Sequence, residues 1–99
     1  MTFEDVIRRQ LDLFEEEHAD LIADCEEAER AYDAAGRGEA EERYGDYQDL
    51  VETGTEELAA FRDHFASTMT EEAAEEYEAE FNRAVLVRLP RFALEIEEL

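Results

Sequence analysis

The chain has 99 residues, of which 30 are acidic and nine are basic, and its formal net charge at pH 7 is −21. Hydrophobic residues make up 44% of the chain, which is too high for a disordered polyelectrolyte. The four glycines and one proline supply few turns for a β fold. The composition and length therefore predict a single all-α domain over residues 1–99. Because bare nucleic acid and anionic membranes are polyanions, this charge argues against direct binding to either.

The first predicted helix covers residues 3–35. Its apolar positions recur at alternating steps of four and three residues, which is the spacing of one stripe along a long helix. This stripe consists of Ile7, Leu11, Phe14, His18, Leu21, Cys25, Ala28, Tyr32 and Ala35. Thr2 followed by Asp5 resembles a capping box at the start, and the glycines of residues 36–38 are typical of a helix end.

The second predicted helix covers residues 39–67 and repeats this spacing. Its stripe consists of Ala40, Tyr44, Tyr47, Val51, Gly54, Leu58, Phe61, Phe65 and Thr68. A glycine inside a helix costs about 1 kcal/mol relative to alanine, so Gly54 weakens the pattern. The stripe keeps its phase across Gly54, however, which favours one continuous helix. The missing side chain would also let a large ring from a neighbouring helix approach closely.

The third predicted helix covers residues 70–98, with Thr70 as its N-cap. Its stripe consists of Ala74, Tyr77, Phe81, Val85, Leu89, Phe92, Ile96 and Leu99. Pro90 lacks an amide hydrogen and its ring clashes with the preceding turn, so we expect a kink or break near Leu89. The residues that follow are expected to form a short helix with Pro90 in its first turn.

Short connections make these three helices sequentially antiparallel, which predicts an up-down-up three-helix bundle with coiled-coil-like contacts between the stripes. The third helix of this bundle is expected to be kinked near Pro90. Folding the helices about their turns brings Tyr32 towards Tyr44, and Tyr44 towards Phe92.

Glu15 and His18 form a Glu-x-x-His step on the first predicted helix. A ferritin-like dinuclear centre needs two such steps and two further glutamates from facing helices. A second copy of the chain would have to supply the other step, with Glu78 or Glu80 completing an iron or manganese site. The interpretation we favour is that His18 is a polar member of the stripe whose edge reaches a glutamate on the next helix. The sequence therefore predicts no metal and no other cofactor, with a metal-binding dimer as an alternative.

Catalytic side chains are not apparent in the sequence. Ser67 is the only serine and belongs to a turn, and Cys25 lies in the first stripe, where a buried and inert thiol is expected. A non-enzymatic role is therefore favoured. The single cysteine, the lack of an apolar core like that of a signal peptide, and the lack of a membrane-spanning window favour a cytoplasmic location.

Residues 82–94 form the most unusual segment, because they contain no acid and three of the nine arginines. Leu86, Val87 and Leu94 lie outside the stripe, so the segment is apolar on more than one face and needs a second surface to cover it. Interfaces are enriched in arginine and aromatic residues and depleted in acids. The predicted interface consists of Arg83, Leu86, Val87, Arg88, Arg91, Phe92 and Leu94.

The acid excess also resembles the composition of proteins from halophiles with molar salt in the cytoplasm, where a Debye length of about 3 Å at 1 M screens self-repulsion. A GC-rich genome would explain why every basic residue is arginine, but not the excess of acids.

The sequence thus favours a small acidic protein-interaction or scaffolding module that forms a homodimer, or binds another protein, through its third helix. The alternatives are a ferritin-like dinuclear metal-binding protein assembled across a dimer, and an acidic nucleic-acid mimic that regulates a basic protein.

Overall fold

The structure, a computed structural model, describes residues 2–99, and these form five helices and no strand. The helices are α1 (Glu4–Glu17), α2 (Ala19–Ala34), α3 (Ala40–Ala66), α4 (Glu71–Arg88) and α5 (Ala93–Ile96), with a 3-10 turn at Pro90–Phe92 between the last two. The predicted all-α class is confirmed. The predicted up-down-up three-helix bundle is not confirmed, because the structure has five helices: the chain leaves the helical conformation at His18, which was not expected, and at Leu89, which was.

The first predicted helix is broken at His18, which leaves the helical conformation with φ −117° and ψ 29°. Hydrogen bonding continues on both sides, since the His18 N–H donates to the Phe14 carbonyl at 2.9 Å and the His18 carbonyl accepts from the Ile22 N–H at 3.0 Å. On either side of His18 the chain packs against different helices, α1 against α4 and α2 against α3. The prediction of one uninterrupted helix over residues 3–35 is therefore wrong.

Helix α3 runs without interruption through Gly54, as predicted. The ring of Phe92 lies against this glycine: a Cβ built on Gly54 would be 2.8 Å from Cζ of Phe92 and closer still to its Cε1. The expected close approach of a ring is therefore confirmed. The expected approach of Phe92 to Tyr44 is wrong, because Tyr44 lies about 15 Å further along the helix axis, where its ring is 5.4 Å from that of Tyr32.

The start and end of α4 follow local chemistry. Thr70 Oγ1 accepts a hydrogen bond from the Ala73 N–H at 3.3 Å, so the predicted N-cap is confirmed. The helix ends at Arg88, Leu89 takes a non-helical conformation, and Pro90 opens the 3-10 turn. The predicted break near Leu89 is confirmed, and it lets α5 turn back against α3 and α4.

The core lies where α1, α3, α4 and α5 meet. Its most deeply buried large side chains are Phe14, Leu58, Tyr77, Phe81, Val85, Phe92 and Ile96. Helix α2 buries only Cys25 fully, and with the first half of α3 it forms a thinner helical hairpin, which explains the elongated extents of 51 × 24 × 19 Å. The Tyr32–Tyr44 ring pair, predicted from the stripes, packs in this hairpin.

Tyr77 is fully buried, and its hydroxyl donates to Gln10 Oε1 at 2.7 Å. Burial raises the pKa of Tyr77 from 10.0 to about 12. Near pH 10 the phenol of Tyr77 loses its proton in the unfolded chain but remains protonated in the folded chain. The unfolded state then binds fewer protons than the folded state, so the free energy of unfolding falls as the pH rises from 10 to about 12. In urea unfolding measured across this window, Tyr77→Phe should lose less stability than the wild type. Parallel losses in the two proteins would show that Tyr77 does not cause the alkaline decline.

Candidate protein-interaction surface

Three large aliphatic side chains of residues 82–94, the segment without acids, are exposed. Leu86 is 59% exposed, and Val87 and Leu94 are each 84% exposed. Helix α4 turns Tyr77, Phe81 and Val85 into the core, and because successive residues are 100° apart on a helix, Leu86 and Val87 face away from it. Apolar side chains this exposed, in a segment without acids, form a candidate contact surface for a second protein.

Arg88, one of the residues of the predicted interface, binds within the chain. Its Nε donates to Glu15 Oε1 at 2.8 Å and its Nη2 to Glu15 Oε2 at 3.1 Å, and Nη2 also contacts the Asp12 carboxylate. This bidentate pairing joins α4 to α1, and the bonds to Glu15 and Asp12 raise the pKa of Arg88 above its already high ordinary value. Arg88 thus stabilises the fold of a single chain.

Arg91 also binds within the chain. Its Nε donates to the Tyr47 hydroxyl at 3.1 Å and its Nη2 to Glu29 Oε2 at 3.3 Å, while the guanidinium lies 5.8 Å from the centre of the Tyr47 ring. These contacts tie the turn after α4 to α2 and α3. Two of the three arginines of residues 82–94, Arg88 and Arg91, therefore have acidic partners within the chain.

Phe92 is only 1% exposed, with its ring between Gly54 and Phe14, so it is not accessible to a partner in this conformation. The side chains of the predicted interface that face outward are Arg83, Leu86, Val87 and Leu94. Among residues 2–99, Arg83 takes part in no ion pair and no side-chain hydrogen bond.

An open groove of about 550 Å³ runs between α1 and α4, beside Val87. Its apolar lining includes Ile7, Leu11, Ala84 and Val87, and its charged lining includes Glu4, Arg8, Glu80, Arg83 and Arg88. The contribution of α1 to this surface was missed from the sequence. It depends on α1 lying against α4, which is a tertiary contact.

The candidate metal ligands do not form a cluster within one chain. Glu15 is held by Arg88, and Glu80 Oε2 accepts from the Phe3 N–H at 3.1 Å. The structure places no group of three or more potential histidine, cysteine or acidic ligands together in the part of the chain it describes. Glu78, on α4, makes no ion pair or side-chain hydrogen bond within that part.

The ring of His18 faces α3, where its Nε2 is 3.9 Å from Glu57 Oε2, as expected for a stripe histidine that reaches the next helix.

Cys25 is fully buried, and burial raises the pKa of its thiol. A neutral buried thiol is a poor nucleophile, because the thiolate is the reactive form. The interpretation of Cys25 as an inert member of the core is thus consistent with its surroundings.

Helix α3 has the length of a membrane span, but acids recur along it, and no helix within residues 2–99 is both long and apolar enough to cross a bilayer.

Comparison of the chain with protein-family models, with curated proteins and with solved structures gave no significant match.

Proposed function

We propose that this protein is a small acidic interaction module that associates with a second copy of itself through the outward side chains of α4 and α5, and that it acts by binding and scaffolding. The observation that carries this proposal is the exposure of Leu86, Val87 and Leu94 in a segment that has no acidic residue, within a chain that has 30. The groove beside Val87 gives a partner a concave surface to fill.

The energetics favour association where salt is present. Complete burial of a leucine or valine side chain contributes about 1.5–3 kcal/mol, so three such residues supply a useful driving force. Two chains of charge −21 repel one another, and this repulsion opposes the contact in dilute buffer. Since molar salt shortens the Debye length to about 3 Å, association should strengthen as potassium chloride is added.

The test is the molar mass in solution, measured by size exclusion with light scattering in roughly 2 M potassium chloride. We expect the wild type to be a dimer and the double variant Leu86→Gln/Val87→Gln to be a monomer, because glutamine keeps the charge and the helix propensity but removes the apolar surface. Leu13→Gln is the matched control, since Leu13 is 41% exposed on α1 and should leave the dimer intact. A wild type that stays monomeric across a wide range of protein concentration would contradict self-association.

A further inference from the structure

The outer face of α4 has a charge pattern that is complementary to itself. Glu72, Glu76, Ala79, Arg83 and Leu86 follow one another at steps of four, three, four and three residues, and all five are exposed. This spacing places them in one line along the helix, opposite the core-facing line. The two residues of the first half are acidic, the central Ala79 has a small side chain, and the second half carries the basic Arg83 followed by the apolar Leu86.

The charges on this line have no charged or hydrogen-bonding partner in the part of the chain that the structure describes. Over residues 2–99, neither Glu72, Glu76 nor Arg83 takes part in an ion pair or a side-chain hydrogen bond. Arg88, on the core-facing side of the same helix, is by contrast held by Glu15. The outer line is therefore available to pair with charges from another molecule.

We propose that the second copy docks on this line with its α4 antiparallel, so that Arg83 lies against Glu76 of the partner subunit. This proposal rests on the self-association argued above and specifies its geometry. A two-fold axis near Ala79 forms the pair twice, since each chain supplies one arginine and one glutamate. The two Ala79 side chains meet near the axis, where their small size permits the helices to approach closely, and Leu86 covers the first turns of the partner's α4.

Other arrangements of the same helices are less favourable. A parallel two-fold pairing places each residue of the line opposite its own copy, so that Glu72, Glu76 and Arg83 would all face like charges. An antiparallel pairing centred on Leu86 overlaps only the last turns of α4 and leaves its acidic half without a partner. The antiparallel arrangement about Ala79 is the one that places Arg83 against Glu76 twice and sets no like charges of the line opposite each other, while Glu72 lies opposite the apolar Leu86.

Charge reversal tests this geometry. We expect Arg83→Glu and Glu76→Arg each to weaken dimerisation by about tenfold, since each change turns two attractive contacts into two repulsive ones. The effect of Glu76→Arg is the more informative, because it lowers the net negative charge and would strengthen association if only net charge mattered. Dissociation constants are measured by sedimentation at the lowest potassium chloride concentration that sustains the wild-type dimer, so that the contacts are not fully screened.

Recombination of the variants gives the decisive result. An equimolar mixture of Arg83→Glu and Glu76→Arg chains should form a heterodimer in which both contacts are again attractive, and the double variant Arg83→Glu/Glu76→Arg should again form a homodimer. Controls with the same charge changes elsewhere are Arg9→Glu and Glu52→Arg, which lie on exposed positions of α1 and α3. An equimolar mixture of these two control chains should dimerise no more tightly than the average of the two chains measured separately.

The outcomes separate this geometry from self-association itself. If the wild type dimerises and Leu86→Gln/Val87→Gln abolishes the dimer, but Glu76→Arg does not weaken it or the mixture does not recover it, the antiparallel arrangement is wrong while the interaction surface stands. A monomeric wild type overturns both proposals.

Discussion

Replacement of Phe92 by alanine is expected to lower the free energy of unfolding by about 3–5 kcal/mol, which is the range for large aromatic side chains in a core. Phe92 is 1% exposed, its ring lies against Gly54 of α3, and it meets the ring of Phe14 of α1 edge-on at 6.0 Å. Its loss would leave a cavity between α1, α3 and the start of α5. Urea unfolding followed by circular dichroism, in roughly 2 M potassium chloride to screen self-repulsion, measures the effect.

Gly54→Ala tests the same contact from the other side. In the wild-type background the new Cβ would overlap the Phe92 ring, and overpacking of this kind costs about 1–3 kcal/mol, more than the roughly 1 kcal/mol that alanine gains over glycine in a helix. In the Phe92→Ala background the overlap is gone, so Gly54→Ala should become stabilising. The sign of its effect should therefore reverse between the two backgrounds.

Gly45→Ala is the matched control, because Gly45 also lies within α3 and a Cβ there would meet nothing within 4 Å. It should stabilise both backgrounds by up to about 1 kcal/mol. If Gly54→Ala stabilised the wild type as Gly45→Ala does, the close packing of Phe92 against the glycine would be refuted.

Three features predicted correctly from the sequence are decided by local chemistry. Thr70 caps α4 through its own hydroxyl, Pro90 ends the helix because it has no amide hydrogen, and Gly54 accepts a ring because it has no side chain. Each of these outcomes follows from the residue and its immediate neighbours, so the sequence carries enough information to anticipate them.

The break at His18 has no such local cause. The surrounding residues include no glycine or proline, and the apolar stripe keeps its phase from Phe14 to Cys25. On either side of His18 the chain packs against different helices, α1 against α4 and α2 against α3, and contacts of that kind belong to the tertiary structure. Periodicity alone therefore predicts one long helix where the structure has two.

The partners that Arg88 and Arg91 have within the chain could not be predicted for a related reason. Arg88 pairs with Glu15, which lies 73 positions earlier, and Arg91 pairs with Glu29. With 30 acidic residues in the chain, the sequence offers too many possible partners to select these two. Leu86, Val87 and Leu94 were identified as outward-facing because helix periodicity alone decides which residues lie opposite the stripe.

Arg62 is the second residue whose replacement should have a large effect. It is 4% exposed, its Nη1 donates to Asn82 Oδ1 at 3.0 Å and to the Ile96 carbonyl at 2.9 Å, and its Nε donates to Asp63 Oδ1 at 2.9 Å. Arg62→Met keeps an unbranched apolar stem and a similar helix propensity but removes every side-chain donor. We expect a loss of about 2–4 kcal/mol in the free energy of unfolding, because buried acceptors on α4 and α5 then lose a charged donor.

The matched variant Asp63→Asn separates the ion pair from the buried hydrogen bonds. The Asp63 side chain is 53% exposed, so its charge is solvated and its removal should cost less than about 1 kcal/mol. Comparable losses in Arg62→Met and Asp63→Asn would contradict the assignment of the effect to Asn82 and Ile96.

The position of the Arg62 contacts also predicts where the loss of stability should appear. The Ile96 carbonyl lies at the C-terminal end of α5, and its other donor is the Leu99 N–H at the longer distance of 3.3 Å. Without Arg62, α5 should open more readily than the rest of the core, so hydrogen exchange at the amides of Phe92 and Ile96 should accelerate before that of Leu58 or Phe81. Because Phe92 is carried by the same segment, opening of α5 would also withdraw its ring from Gly54. Uniform acceleration at all four amides would instead show that Arg62 supports the core as a whole and that α5 has no separate attachment.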